Sequence, residues 1–320
     1  MNILEVKDLS AYYKTRKGYN QALDKFSITL REGEVLALIG ESGCGKSTAG
    51  FSIMNMIQHP GEVIGGKVLL NQMDLLSLQE GELRKVLWKE ISMIPQSAMN
   101  ALDPAYKVGS QIVEAIRLHN PGMGKAQARQ KTEELLLCVG LDQKWFDAFP
   151  HKLSGGMKQR IIIAMALSCE PKVIISDEST TGLDVLIEAQ ILALLRKQIR
   201  ERGISVILIS HDLRMVMSIC DRVGIMYAGK LVELGTIAEI KDDPKHPYTR
   251  ALFASQVDVR DFSKTVHSVE GVVPQLIDPA DQCRFLSRCN KSIPRCQGVH
   301  PGMYEVSPTH LVSCYLEAKE

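Results

Sequence analysis

No stretch of this chain is apolar for long enough to span a membrane. Its longest wholly apolar run, Ile161 to Leu167, falls far short of the ~20 residues a bilayer core requires. The N-terminus carries no leader pattern, because Glu5, Lys7 and Asp8 break up its apolar residues. Neither sign of charge is in excess: 38 Lys and Arg against 37 Asp and Glu leave a net +1, so no basic field argues for nucleic acid. Internal repeats and low-complexity tracts are lacking. Together these absences predict a cytosolic protein; if it serves a membrane process, separate subunits must supply the membrane part. The 320 residues suffice for a main domain of about 250 residues plus a small appendage.

What the chain does contain is a phosphate-binding loop. Gly40-Glu41-Ser42-Gly43-Cys44-Gly45-Lys46-Ser47-Thr48 follows Val35-Leu36-Ala37-Leu38-Ile39, an apolar run of strand length, and precedes Ala49 to Met54, which can continue a helix. Glycines at 40, 43 and 45 let consecutive backbone N–H groups face one concavity, and the helix N-terminus behind them favours anions. Lys46 is placed to neutralise β- and γ-phosphates and Ser47 to ligate Mg²⁺. A glycine-rich turn without function is the competing reading, and the complete pattern in strand–turn–helix context outweighs it. Cys44 is read as a position that needs a small side chain; a thiol pKa lowered by the nearby helix N-terminus, making it oxidisable without nucleotide, is the second reading.

Further motifs end apolar strands. Val173-Ile174-Ile175-Ser176 runs into Asp177 and Glu178, the first placed for Mg²⁺ and the second aimed toward an attacking water. Ile91 to Pro95 runs into Gln96, whose amide can bond a metal-bound water and a neighbouring backbone. Val206 to Ser210 runs into His211, one strand–helix–strand interval after Glu178, where a γ-phosphate contact is expected. Leu153-Ser154-Gly155-Gly156-Met157-Lys158-Gln159-Arg160 supplies an N-cap serine and two glycines ahead of an apolar helix, so a helix N-terminus is presented to an anion.

These five elements and a sixth, a loop at 181–184 that follows the carboxylate pair, resemble an ABC-type ATPase in kind and order. The resemblance implies ATP held between two chains closing head to tail. One chain's phosphate loop (Gly40, Ser42, Gly43, Cys44, Gly45, Lys46, Ser47, Thr48) would face Ser154, Gly155 and Gly156 of the other. It also implies an aromatic ring on adenine, for which Tyr13 is the first match and Tyr12 the second. Glu178, His211, Lys46 and Gln96 are the implied catalytic residues, with Ser47, Asp177 and Gln96 for Mg²⁺. The chain departs from the family at Ser179, commonly proline, and Gly182, commonly alanine or serine; both are expected to soften the backbone.

The expected fold is α/β: a mostly parallel core sheet, an N-terminal antiparallel β subdomain, a helical subdomain at about 97–157 and a small Cys-rich C-terminal extension. Phe26, Ile28 and Leu30 alternate as in a half-buried strand, Gln111 to His119 and Ala126 to Val139 carry helical spacing, and 186–202 reads as a helix stopped by Gly203. The expected domains are 1–255, nucleotide-binding, and 256–320, the extension.

Four of the eight cysteines crowd into that extension: Cys283, Cys289, Cys296 and Cys314. In an intracellular chain this favours metal over disulfides, and the surrounding prolines and glycines suggest a loop-built segment that needs a staple. Spacing alone leaves structural zinc, with His300 or His310 competing as ligand, or free thiols in a tail; the C-x2-C knuckle typical of zinc is missing. Cys138, Cys169 and Cys220 read as small core residues.

A narrower resemblance covers nearly the whole chain. His246-Pro247-Tyr248-Thr249-Arg250-Ala251-Leu252, Gly271-Val272-Val273-Pro274 and the segment ending His310-Leu311-Val312-Ser313-Cys314 are similar to the C-terminal extension of dipeptide, oligopeptide and nickel importer ATPases. It implies a [4Fe–4S] cluster on Cys283, Cys289, Cys296 and Cys314, with zinc as the alternative. It also implies a second ATPase subunit, a paralogue by family habit, two transmembrane permease subunits, an extracytoplasmic substrate-binding protein, and residence at the cytoplasmic face of the membrane. Peptide is the expected cargo and nickel the second choice. A soluble ABC ATPase of DNA repair or ribosome work is the reading from another class; the coiled coils, zinc inserts or doubled ATPase domains usual there do not appear.

Overall fold

The computed structural model describes residues 1–96, 101–179, 185–255 and 271–318. The chain divides into two compact units: the first comprises Met1–Ile3, Leu30–Glu34 and Ser77–Leu208, the second Leu4–Thr29, Val35–Leu76 and Ile209–Glu320.

In the second unit, β1 (Asn2–Thr15), β2 (Gly18–Arg31), β4 (Gly61–Leu70) and β5 (Met73–Asp74) form a sheet ordered β2-β1-β4-β5. β4 lies antiparallel to both β1 and β5, as expected for the N-terminal sheet. β2 alternates as its sequence predicts: Phe26, Ile28 and Leu30 are buried while Ser27 faces out. β3 (Val35–Ile39) is buried at all five positions, the signature of a strand covered on both faces. It pairs in parallel with β9 (Arg222–Tyr227), and β9 turns into β10 (Lys230–Thr236) through Ala228 and Gly229. Both turn residues have positive φ, 49° and 82°, the conformation a two-residue hairpin requires. Helix α1 (Lys46–Ile53) follows the phosphate loop, and α7 (Leu213–Ile219), α8 (Ile237–Asp242) and α9 (Pro247–Ala254) are capped by Asp212, Thr236 and His246.

The extension is not loop alone. β11 (Tyr304–Ser307) and β12 (His310–Val312) form a hairpin, and β12 pairs antiparallel with β10, giving the order β11-β12-β10-β9-β3. Composition underestimated it because the free edge of β10 supplies backbone partners that a segment poor in apolar residues lacks on its own. Its Phe285 and Leu276 join a core with Tyr227, Tyr248, Val216, Ile225 and Ile240.

In the first unit, β6 (Ile91–Ile94), β7 (Val173–Asp177) and β8 (Ser205–Ser210) lie in the order β8-β7-β6, and β6 pairs in parallel with β7. Helix α2 (Glu80–Val86) precedes β6. Helices α3 (Val108–His119) and α4 (Lys125–Cys138) pack on each other, with Ile112, Val113, Ile116 and Leu135 buried, and α4 also packs on α5 (Gly155–Leu167). Helix α6 (Val185–Arg202) follows β7. The core strands thus include parallel pairs, with antiparallel strands added beyond β9.

Candidate functional site

The phosphate loop sits in the second unit, and its glycines are required by geometry. At Gly40, φ is +158° and a Cβ would lie 2.2 Å from the Met226 carbonyl oxygen and 2.8 Å from the Cys44 sulfur. At Gly45, φ is +102° and a Cβ would lie 2.2 Å from the Ala22 carbonyl oxygen. Lys46 is 5% exposed, and its ammonium donates to the carbonyls of Gly40 at 2.8 Å and Glu41 at 3.1 Å. The loop therefore stores the cation on its own backbone, where phosphate oxygens can replace carbonyl oxygens. Ser42 and Gly43 are exposed, and Ser47 and Thr48 lie half-buried in the first turn of α1.

Burial decides between the two readings of Cys44. Its side chain is fully buried, and burial pushes the thiol pKa up, although Lys46 beside it pulls the other way. The helix N-terminus does not outweigh desolvation here. The residue packs beneath Gly40, so the small-side-chain alternative holds.

Tyr12 and Tyr13 stand on opposite faces of β1. Tyr12 Oη donates to Asp24 at 3.4 Å, and burial followed by the Asp24 charge raises its pKa. Tyr13 is half-buried and lies across Gly61, where a Cβ would come within 2.7 Å of its ring. His211 is exposed just after β8, beside Asp212, which caps α7.

The other site residues fall in the first unit. Asp177 closes β7 at 1% exposure, and Glu178 follows with φ at +42°, a left-handed conformation that costs a non-glycine residue ~1–2 kcal/mol. Gln96 Nε2 donates to Glu178 Oε2 at 2.8 Å, so the structure brings these two together through the carboxylate itself. Ser179 does not leave the turn loose: Ser176 Oγ donates to Ser179 Oγ at 2.8 Å in a buried contact. That hydrogen bond replaces the ring constraint a proline would give, while a proline at 179 would push Glu178 toward extended backbone. The loop at 181–184, with Gly182, lies outside the described residues.

Ser154 caps α5, accepting from the Met157 N–H at 3.4 Å, and its hydroxyl is exposed. Gly155 opens the helix. Gly156 is required by a neighbour within the unit: a Cβ there would come within 2.7 Å of Ile187 Cγ2 on α6. Arg160 ties α5 to its surroundings through the Val139 carbonyl at 2.7 Å and Gln190 at 3.2 Å.

In the extension, Cys283, Cys289, Cys296 and Cys314 line one small cavity of about 10 Å³, along with His246, Phe285 and Pro301. All four are free thiols. Burial first, then the charges of Cys296, Cys289 and Cys314, push Cys283 up to about 11; burial also raises Cys289 and Cys314. Among the described residues, no group of three or more His, Cys, Asp or Glu converges on a point that would hold a metal ion. Neither His300 nor His310 lines this cavity, which removes both as competing ligands. His310 lies 2.7 Å from the buried carboxylate of Glu233, and His300 Nδ1 lies 2.8 Å from the Pro301 carbonyl oxygen. Cys138 is exposed at the end of α4 and Cys169 is partly buried, so neither is a core residue, whereas the partly buried Cys220 packs against the core that holds Tyr227 and Val216.

Comparison with known proteins brings these observations together. An ABC transporter family profile matches residues 23–181, and an oligopeptide/dipeptide transporter C-terminal region profile matches 232–296. The dipeptide transport ATP-binding protein DppD of Haemophilus influenzae is 40% identical over 322 residues, covering 100% of this chain and 97% of the relative. The oligopeptide transport ATP-binding protein OppD of Bacillus subtilis is 42% identical over 318 residues, covering 98% and 88%. The solved structure of the ATP-binding cassette MJ0796, a dimer in a post-hydrolysis state bound to ADP and phosphate, matches with a TM-score of 0.67 at 26% identity, over 73% of this chain and 98% of that one.

The chain belongs to the ABC transporter ATP-binding family. Its fold is the ABC ATPase cassette, and its activity is ATP hydrolysis. Among the described residues, no helix of this ABC ATPase is long and apolar enough to cross a membrane. Sequence reasoning missed two residues that hold the ABC phosphate loop from outside. Tyr248 Oη accepts from the Glu41 N–H at 3.0 Å, and Arg288 pairs with the Glu41 carboxylate. Tyr248 stood in the quoted His-Pro-Tyr-Thr-Arg stretch; nothing in the sequence marked Arg288.

Proposed function

We propose that this ABC ATPase powers a membrane importer of dipeptides or oligopeptides. The observation that carries the reading is the match over essentially the full chain, extension included, to proteins named for dipeptide and oligopeptide transport. Its partners are two transmembrane permease subunits, an extracytoplasmic substrate-binding protein and a second ATPase, a paralogue, and it works peripherally at the cytoplasmic face. The nucleotide-binding domain is residues 1–255 and the extension 256–320.

In this reading ATP is substrate. Tyr13 stacks on adenine, since Tyr12 is engaged with Asp24. The amides of Gly40 to Thr48 and the Lys46 ammonium take the phosphates, Lys46 exchanging the two loop carbonyls for phosphate oxygens. Ser47, Asp177 and Gln96 are the residues that would hold Mg²⁺, which when bound neutralises the β- and γ-phosphate charge. Glu178 orients and deprotonates the attacking water, and must first exchange its hydrogen bond to Gln96. His211 steadies the γ-phosphate, and Ser154, Gly155 and Gly156 of the partner ATPase complete the cage.

The four cysteines that line one cavity carry the reading of a [4Fe–4S] site, with zinc as the alternative. A single zinc ion needs four donors within about 2.3 Å of one point. Among the described residues no set of donors converges in that way, which favours neither metal; the reading rests on four thiols that share one cavity, the donor set an iron–sulfur cluster uses. Cys283, Cys289, Cys296 and Cys314 would hold the cluster, which braces the extension when bound. Iron and acid-labile sulfide analysis of the purified protein tests this; zinc in their place would replace the reading.

For the cargo, the assembled complex is reconstituted with its binding protein and ATP turnover is measured with peptides and with Ni²⁺. Stimulation by dipeptides or oligopeptides is expected. Stimulation by Ni²⁺ alone would overturn the peptide reading.

A further inference from the structure

Glu41, second residue of the phosphate loop, is gripped from outside the loop at both its backbone and its side chain. Its N–H donates to Tyr248 Oη at 3.0 Å. Its carboxylate takes both arms of the Arg288 guanidinium, Nη1 to Oε2 at 2.9 Å and Nη2 to Oε1 at 3.1 Å. Arg288 is well shielded, with 4% of its side chain exposed, and its Nη1 also donates to Tyr227 Oη at 3.3 Å. A two-pronged guanidinium–carboxylate contact fixes the plane as well as the distance of its partner.

Arg288 occupies the short turn Leu286–Arg288, and that turn is bracketed by cavity cysteines. The Leu286 N–H donates to the Cys283 carbonyl at 3.0 Å and the Cys289 N–H to the Leu286 carbonyl at 3.3 Å. The Cys283 N–H in turn donates to the Cys296 carbonyl at 3.0 Å. Where the guanidinium sits is therefore set by the same backbone that places the thiols. Glu41 also supplies a carbonyl to Lys46, so displacing Glu41 disturbs the cation that must meet the phosphates. An unneutralised carboxylate in this loop would in addition repel a triphosphate.

From this geometry we infer that Arg288 is a positioning residue for ATP binding, through which the four-cysteine segment sets the conformation and charge of the phosphate loop at Glu41. The inference rests on the reading of residues 40–48 as the ATP cradle and is independent of which metal the cysteines hold.

The test is titration of the full chain with a fluorescent ATP analogue, with melting temperature recorded beside it. Arg288→Gln is expected to raise Kd about tenfold, the equivalent of ~1.4 kcal/mol, and Glu41→Gln added to it should weaken binding no further. Arg288→Lys keeps the charge without the fork and should fall between parent and Arg288→Gln; paired with Glu41→Gln, it serves if Arg288→Gln does not fold. Cys289→Ser should raise Kd in the parent background and leave it unchanged in Arg288→Gln. A lowered melting temperature with unchanged Kd would overturn the inference, as would effects of Arg288→Gln and Glu41→Gln that multiply. Transmission from the cysteines is overturned if Cys289→Ser has no effect on Kd or acts equally in both backgrounds. Iron absent from the parent protein would sink the cluster reading and leave this test intact.

Discussion

Glu233 anchors the extension, and removing it should cost far more than a typical surface change. It is fully buried on β10, and its carboxylate accepts from the Lys245 N–H at 2.7 Å, the His246 N–H at 3.0 Å and His310 Nε2 at 2.7 Å. In Glu233→Ala the Lys245 amide, nearer the surface, can turn to water. The other two donors cannot, because His246 is 2% and His310 3% exposed. Two stranded donors at ~1–3 kcal/mol each give about 4 kcal/mol. For a cooperative unit of roughly 150–250 residues this is a fall in melting temperature of about 8–16 °C. Glu233→Gln keeps one acceptor and should lose about half as much. Calorimetry on parent and variants measures both. A Glu233→Ala protein melting within about 2 °C of the parent would refute the argument that this carboxylate holds β12 and α9 in place.

Three further outcomes follow from local geometry. Burial opposes ionisation of Glu239, but hydrogen bonds from Ser307, Thr236 and Thr309 bring its pKa down from 4.5 to about 2. A depressed carboxylate pKa stabilises the fold fully above the unfolded value and loses that contribution as pH falls from 4.5 toward about 2. Urea unfolding across that window should show the loss in the parent and a flatter profile in Glu239→Gln. Gly156→Ala should destabilise by ~1–3 kcal/mol because its methyl meets Ile187, and Ile187→Ala should recover part of this; no recovery in the double variant's melting temperature would contradict the contact. Alkylation followed by mass spectrometry should label exposed Cys138 early and buried Cys44 late, at rates for Cys44 that do not depend on ATP.

The local structure of the motifs was legible because each is short and self-contained. Glycines at 40, 43 and 45 with positive φ, the carboxylates ending β7 and the serine capping α5 are each marked within a few residues. Helix and strand positions followed from periodicity for the same reason. What escaped the sequence were contacts between distant residues. Arg288 meets Glu41 across 247 positions, and His310 meets Glu233 across 77. Ser179 looked like a loss of rigidity until Ser176 was found bonded to it. Sequence could not decide between the two readings of Cys44, because proximity to a helix N-terminus is visible there, whereas complete burial of one side chain in a glycine-rich loop is not. The strand pair of the extension was hidden because its partner, β10, lies in a different stretch of the chain.

The central claim is that ATP is cleaved only when phosphate loop and signature serine come from two paired ATPase chains. ATP turnover per chain, measured on the isolated subunit over a wide range of dilution and again with its partner ATPase added, tests this most directly. Negligible turnover at dilution, rising steeply on pairing and lost in Glu178→Gln, is predicted. A subunit that stays monomeric and still hydrolyses ATP as fast as the paired form would contradict it.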